Sequence, residues 1–262
     1  MAQIQGVTNE NTRPAATIEG AATPATIRTG RYNEMAVASY YGDQYPFALE
    51  GSYFVFSSPT PGTGIANTTA LTAYASGSTA PYILIANNNP TSGPNIQLDY
   101  LKIIQTGTTL PTTATNIQIA LSVDVAPNKV PTTAGTSITP VSVNPGSANI
   151  SNAVIRAGTI VTAADSAAVK LLFQDYMEPI VGTTPCAVAG DFYICKFGAL
   201  DHIMASSYYQ TVAAGTPLGV KQISSSGPPI VIAPGWTLSV KIFGAGLNAA
   251  ATYSFEGGYR ER

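Results

Sequence analysis

The stretch GPPIVIAPGWTLSVKIFGAGLNAAATYSFEGGYRER, residues 227–262, reads as three consecutive strands. Ile230, Val231 and Ile232 form a β-branched run bounded by Pro229 and Pro234, and Pro234-Gly235 is a turn dipeptide. Trp236, Leu238, Val240 and Ile242 then alternate with Thr237, Ser239 and Lys241, the period of two of a half-buried strand. Residues 244–248, GAGLN, form a loop, after which Tyr253 and Phe255 resume the alternation with Ser254 and Glu256 on the other face. The closing YRER sets its three charges in water or against a partner. The C-terminus is therefore expected inside a sheet.

Further strand signals recur upstream. In GSYFVFS, residues 51–57, Tyr53 and Val55 face one way and Phe54 and Phe56 the other, so burial is expected on both sides. PYILIA, residues 81–86, runs into Asn87-Asn88-Asn89-Pro90. NIQLDYLKIIQ, residues 95–105, changes phase: Ile96 and Leu98 share a parity that Leu101 and Ile103 do not. A β-bulge near Asp99-Tyr100 restores one face. Over residues 116–125 Ile117, Ile119, Leu121 and Val123 alternate strictly with Gln118, Ala120, Ser122 and Asp124. The connection TGTTLPTTAT between these two strands is too long for a tight hairpin and suits the end of a sandwich.

VSVNPG predicts a short strand and turn within 127–149, and AVIRAGTIVT, residues 153–162, a strand broken by glycine. In 163–177, Val169, Leu172, Phe173 and Tyr176 fit a helical stripe with Asp165 or Ser166 as cap. The surrounding β pattern favours a strand. DFYICKF, residues 191–197, and SSYYQTV, residues 206–212, complete the set, with IRTGRYNEMAVASYY, residues 27–41, as a further candidate. Short strands, Pro/Gly-rich connections and no βαβ alternation predict an all-β fold, a β-sandwich of jelly-roll-like type. Residues 1–26, rich in Ala, Thr, Asn and Pro with isolated Ile4, Val7 and Ile18, read as an extended N-terminal arm. Residues 27–262 read as the sandwich body.

The chain has 262 residues, of which 45% are hydrophobic and only 10% charged, against about 25% charged in a typical soluble domain. A surface so poor in charge suits a protein packed among subunits. The net charge is -2 and the 12 Lys and Arg are scattered, so no basic footprint for direct nucleic-acid binding is present. No apolar run approaches the roughly 20 residues of a membrane helix. The opening MAQIQGVTNEN lacks a secretory pattern, and use in a cytoplasm or release by lysis is expected.

Catalytic and metal signatures are sparse. His202 is the single histidine, which leaves no multi-histidine metal site, and Asp201 beside it points to the opposite face of a strand. Cys186 and Cys195 match neither a redox nor a zinc spacing and read as two small buried thiols, with a disulfide sterically conceivable. GTPLGVK, residues 215–221, fails the phosphate-loop spacing. Asp99, Asp124, Asp175 and Glu178 could form a hydrolytic pair only through folding, and nothing in their spacing selects one. No catalytic, cofactor-binding or metal-binding residue is assigned, and no cofactor is expected. The 14 tyrosines fit strand packing and, alternatively, interfaces.

MAQIQGVTNEN leading through IRTGRY, and PPIVIAPGW leading to YSFEGGYRER, resemble the two ends of structural proteins of tailed-bacteriophage virions. The resemblance implies a non-enzymatic virion subunit assembled in the host cytoplasm, of the capsid-decorating (cement) or accessory head type. Its expected partners are the major capsid protein or other virion subunits, with a homo-oligomer, a trimer by preference, and neither membrane nor direct nucleic acid. An alternative is a tail or fibre component that binds a host receptor or glycan, with Tyr74 and Tyr82 stacking on sugar rings. A β-sandwich hydrolase is the third reading.

Overall fold

The computed structural model describes residues 45–60, 62–66, 74, 82–106, 117–125, 135–158, 168–178, 190–198, 211–212, 216–217, 222–244 and 252–262. The chain divides into units 1–45 and 46–262, and the described residues, Tyr45 apart, belong to the second. The expected arm, the segment 27–41, Cys186, His202 and most of 206–212 lie outside them.

A short helix α1 (Tyr45–Glu50) precedes the strands β1 (Tyr53–Ser57), β2 (Ile65–Ala66), β3 (Ile83–Asn87), β4 (Ile96–Gln105) and β5 (Ile117–Asp124). Then come β6 (Thr136–Ile138), β7 (Val141–Ser142), β8 (Ala153–Ala157), β9 (Val169–Glu178), β10 (Phe192–Phe197), β11 (Thr211–Val212) and β12 (Thr216–Pro217). The last four are β13 (Gln222–Gly227), β14 (Ile230–Ile232), β15 (Thr237–Phe243) and β16 (Thr252–Glu261). The protein is an all-β sandwich. One sheet runs β13-β10-β4-β16-β1-β7, with β14 also on β4 and β2 on β16. The other runs β6-β8-β3-β15-β5-β9, and β11-β12 stand apart as a two-stranded ribbon. Among the described residues all pairings are antiparallel except β10 with β13.

The stretch 227–262 supplies three strands, as its pattern predicts, and distributes them between both layers. β14 lies on β4 in the first sheet, β15 between β3 and β5 in the second, and β16 between β4 and β1 in the first. The turn between β14 and β15 carries Pro234 and then Gly235 at φ +81°, closed by Trp236 N–H donating to the Ala233 carbonyl at 3.0 Å. A positive φ at the third position is the type II signature, which glycine adopts without steric cost. Trp236 falls in this turn, half-buried against the core, and β15 begins one residue later.

Inward rows from both sheets form one core. Leu238, Val240 and Ile242 meet Ile117, Ile119 and Leu121 beside them and Leu101, Ile103, Tyr253 and Phe255 from the facing sheet. Aromatic rings pack edge to face across the layers: Tyr82 stands 5.7 Å from Tyr253 and 5.9 Å from Phe255. β1 is buried through Tyr53 on one face and through Phe54 and Phe56 on the other.

The bulge expected in β4 is present. In the β4–β16 ladder Leu98 opposes Tyr259 and Tyr100 opposes Gly258, so Asp99 is skipped in the register and the parity changes there. Residues 169–178 form a strand on β5, and the helical reading of Val169, Leu172, Phe173 and Tyr176 is overturned. Pairing with β5 supplies the backbone bonds that a helix would otherwise provide, and it sends Phe173 inward against Phe197 at 5.8 Å. The outward residues Ala120, Ser122 and Asp124 of β5 are buried too, so that face is drier than its polar composition suggests.

Candidate functional site

Of the candidate carboxylates, Asp99 lies on β4, Asp124 on β5, and Asp175 and Glu178 both on β9. Asp99, at the bulge of β4, accepts from Tyr53 Oη at 2.7 Å, and Glu256 on β16 accepts from Tyr100 Oη at 2.8 Å. Asp175 on β9 accepts from Tyr193 Oη at 2.9 Å and from the Tyr176 amide at 2.8 Å. Asp99 belongs to one sheet, Asp124 and Asp175 to the other, where Asp124 opposes Val169 and Asp175 opposes Ile119. Each Tyr–carboxylate contact is a lock between elements. Burial, and then the Asp99 hydrogen bond, raise the Tyr53 hydroxyl far above the usual tyrosine range. Burial followed by Glu256 does the same to Tyr100. These phenols stay protonated as donors.

Cys195 faces inward from β10 and is completely buried, and burial pushes its thiol up to about 12. A thiol that stays protonated is an inert packing group. Among the described residues no group of three or more His, Cys, Asp or Glu side chains could hold a metal ion. No helix among them is long and apolar enough to cross a membrane.

The two tyrosines expected to stack on sugar do not form a binding face. Tyr82 is 1% exposed and lies in the core, so that expectation is corrected: immediately before β3 it turns inward, where its hydroxyl donates to the Tyr253 carbonyl. Tyr74 is half-buried, with its ring 6.1 Å from Phe243 and the Lys241 ammonium 5.5 Å from its centroid. It covers the outer side of β15 and helps to bury Lys241, whose pKa falls through desolvation.

Among the described residues, two regions group exposed apolar side chains. The first is β9, an outer strand of its sheet that pairs, among the described residues, with β5. Leu171, Leu172 and Tyr176 are exposed on it. Register shifts leave Leu172 and Met177 unopposed, and Asp175 Oδ1 occupies the Tyr176 N–H. Bulges and occupied amides blunt an edge against further strand pairing, so β9 offers side chains more than backbone.

The second region is the corner joining α1 to the segment around β7. The helix ends at Gly51, φ +74°, where Gly51 N–H donates to the Ala48 carbonyl at 3.1 Å and Ser52 N–H to the Phe47 carbonyl at 2.9 Å. Asn144 Nδ2 donates to the Leu49 carbonyl at 3.1 Å and Asn149 Nδ2 to the Glu50 carbonyl at 2.9 Å. A Cβ at Gly51 would fall 2.0 Å from Ser147 Oγ, so the two segments are in close contact. Leu49, Val141, Val143 and Ile150 are exposed at this corner. The terminal arginines reach it: Arg260 and Arg262 lie 4.9 and 5.6 Å from the Phe47 ring, and Arg260 Nε donates to Gln97 Oε1 at 2.8 Å. The charges of YRER are thus partly held by the chain itself. Pattern reading placed Leu172 and Tyr176 in a candidate element without assigning them an exposed face, and it missed the corner, because isolated aliphatics in Pro/Asn/Ser loops carry no periodicity.

No protein-family model, no curated protein and no solved structure matches this chain.

Proposed function

We propose that the chain is a non-enzymatic structural protein of a tailed-bacteriophage virion, of the capsid-decorating or cement kind. It binds the outer shell through contacts with the major capsid protein or neighbouring virion subunits. The observation that carries this reading is the row Leu171, Leu172 and Tyr176, exposed on a strand hydrogen-bonded into the sheet. Exposed apolar groups on a firm framework mark contact surfaces, and 10% charged residues leave little else to hold a monomer in solution. The resemblance of the two chain ends to virion proteins supports the same assignment.

In this reading the sandwich lies across joints between capsomers, and area buried against both sides, at about 25 cal/mol per Å² of apolar surface, raises the force needed to part them. A symmetric homo-oligomer, a trimer at local three-fold axes, repeats the contact. The chemistry is surface burial, without cofactor, membrane or direct nucleic-acid contact. The test is co-sedimentation with capsids that lack this protein. Wild type should pellet with the particles, and Leu172→Asp should stay in solution with an unchanged melt. A protein that ignores capsids overturns the reading; one that also binds on a glycan array belongs on a tail.

A further inference from the structure

The corner at α1 combines three properties that are independent of β9. It is apolar: Leu49 is 63% exposed, Val141 60%, Ile150 86% and Val143 38%. It is firm, because Leu49 and Glu50 are tied through their carbonyls to Asn144 and Asn149. The loop is braced from within by Gly146 N–H donating to Asn144 Oδ1 and by Asn149 N–H donating to Ser147 Oγ, both at 3.1 Å. Finally, the corner is bordered by both signs of charge. Glu50 is exposed at the end of the helix, and Arg262 stands over Phe47 one helical turn back. Among the described residues neither Glu50 nor Arg262 makes an ion pair.

Scattered aliphatics on a surface are ordinary. Four at one braced corner, with an acid and a base at the border, have the anatomy of an interface: an apolar centre and a charged rim. The rim also selects the partner. A partner of uniform charge would meet repulsion at Glu50 or at Arg262. A copy of the same surface, rotated about an axis, offers Arg262 to Glu50 and Glu50 to Arg262. We infer that copies of this chain pack on one another at this corner, about a symmetry axis through the Leu49–Ile150 patch, with Glu50 of one copy facing Arg262 of the next. Rotation about such an axis closes the assembly as a dimer or trimer.

The experiment is sedimentation velocity on the full chain over a concentration series, with circular dichroism melts as a folding control. Wild type should sediment as a closed dimer or trimer. Leu49→Asp with Ile150→Asp should give a monomer of unchanged melt. Glu50→Arg and Arg262→Glu should each weaken association by about tenfold or more, through repulsion across the rim, and the double variant E50R/R262E should recover most of it. A wild-type monomer at every concentration overturns the inference. So do single reversals without effect, or a double reversal no better than its parents. Leu172→Asp on β9 should leave the oligomer intact, so loss of capsid binding and loss of self-association are read separately.

Discussion

Asn87 donates its side-chain amide to the carbonyl of Ile232 at 2.8 Å, joining the last residue of β3 in one sheet to the last residue of β14 in the other. The same nitrogen donates to the Pro94 carbonyl at 3.0 Å, and Oδ1 accepts from the Asn89 amide at 3.1 Å and from Asn89 Nδ2 at 2.9 Å. Its backbone closes the turn, with N–H donating to the Trp236 carbonyl at 3.0 Å and the carbonyl accepting from Gly235 at 2.8 Å. Asn87 is completely buried, and its bonds to Ile232 and Asn89 form away from water.

Asn87→Ala should therefore be strongly destabilising. It removes the bonds that Asn87 gives the Ile232 carbonyl and the Asn89 backbone N–H, at about 1–3 kcal/mol for each stranded group. Urea unfolding should place the loss at roughly 2–4 kcal/mol. A shift below about 1 kcal/mol would mean that water replaces the amide.

Gly257 faces inward on β16, and a Cβ there would lie 2.3 Å from the Phe56 ring. Gly257→Ala should cost about 1–3 kcal/mol by overpacking. Phe56→Leu should be destabilising alone yet partly compensating in the Gly257→Ala background. A double-mutant cycle that shows simple additivity would deny the contact.

Stability should fall in alkali in two stages. Burial raises the folded thiol of Cys195 to about 12, against about 8.5 for an unfolded thiol. Its contribution is complete below the unfolded value and is lost as pH rises toward the folded one, because the unfolded chain releases its proton first. The slope is at most about 1.4 kcal/mol per pH unit. Tyr82, Tyr193 and Tyr259, raised first by burial, add to it once pH passes about 10, the unfolded tyrosine value. Urea midpoints measured from neutrality upward should show the early stage disappear in Cys195→Ala while the later one persists. A flat profile through both stages would contradict the buried, protonated thiol.

Trp236 and Leu171 are both large apolar residues that should respond differently to truncation. Trp236→Ala should cost about 1–3 kcal/mol, less than a fully buried aromatic, because the indole is only partly covered at the sheet-crossing turn. Leu171→Ala, at an exposed site, should stay within about 0.5 kcal/mol. Thermal melts of the two variants side by side make the comparison, and equal losses would mean that β9 is covered in the isolated chain.

Local pattern was enough for the strands of 227–262, the aromatic two-faced strand β1, the parity change at Asp99 and the strict alternation of β5. In each, side-chain parity is a property of adjacent residues, and burial of one face follows from it. It was not enough to say which sheet a strand joins. β14 and β15 are separated by a single turn yet belong to opposite layers, and Asn87, nearly 150 residues from Ile232 in sequence, holds them there. The segment 169–178 was ambiguous for the same reason: its apolar residues satisfy both periods, and only the β5 ladder decides between them. The inward turn of Tyr82, the placing of Asp99, Asp124 and Asp175 on three strands and the corner made by Leu49 with Val141 and Ile150 depend on contacts distant along the chain. Such contacts are set by the free energy of closing the whole sandwich, which no local window of residues contains.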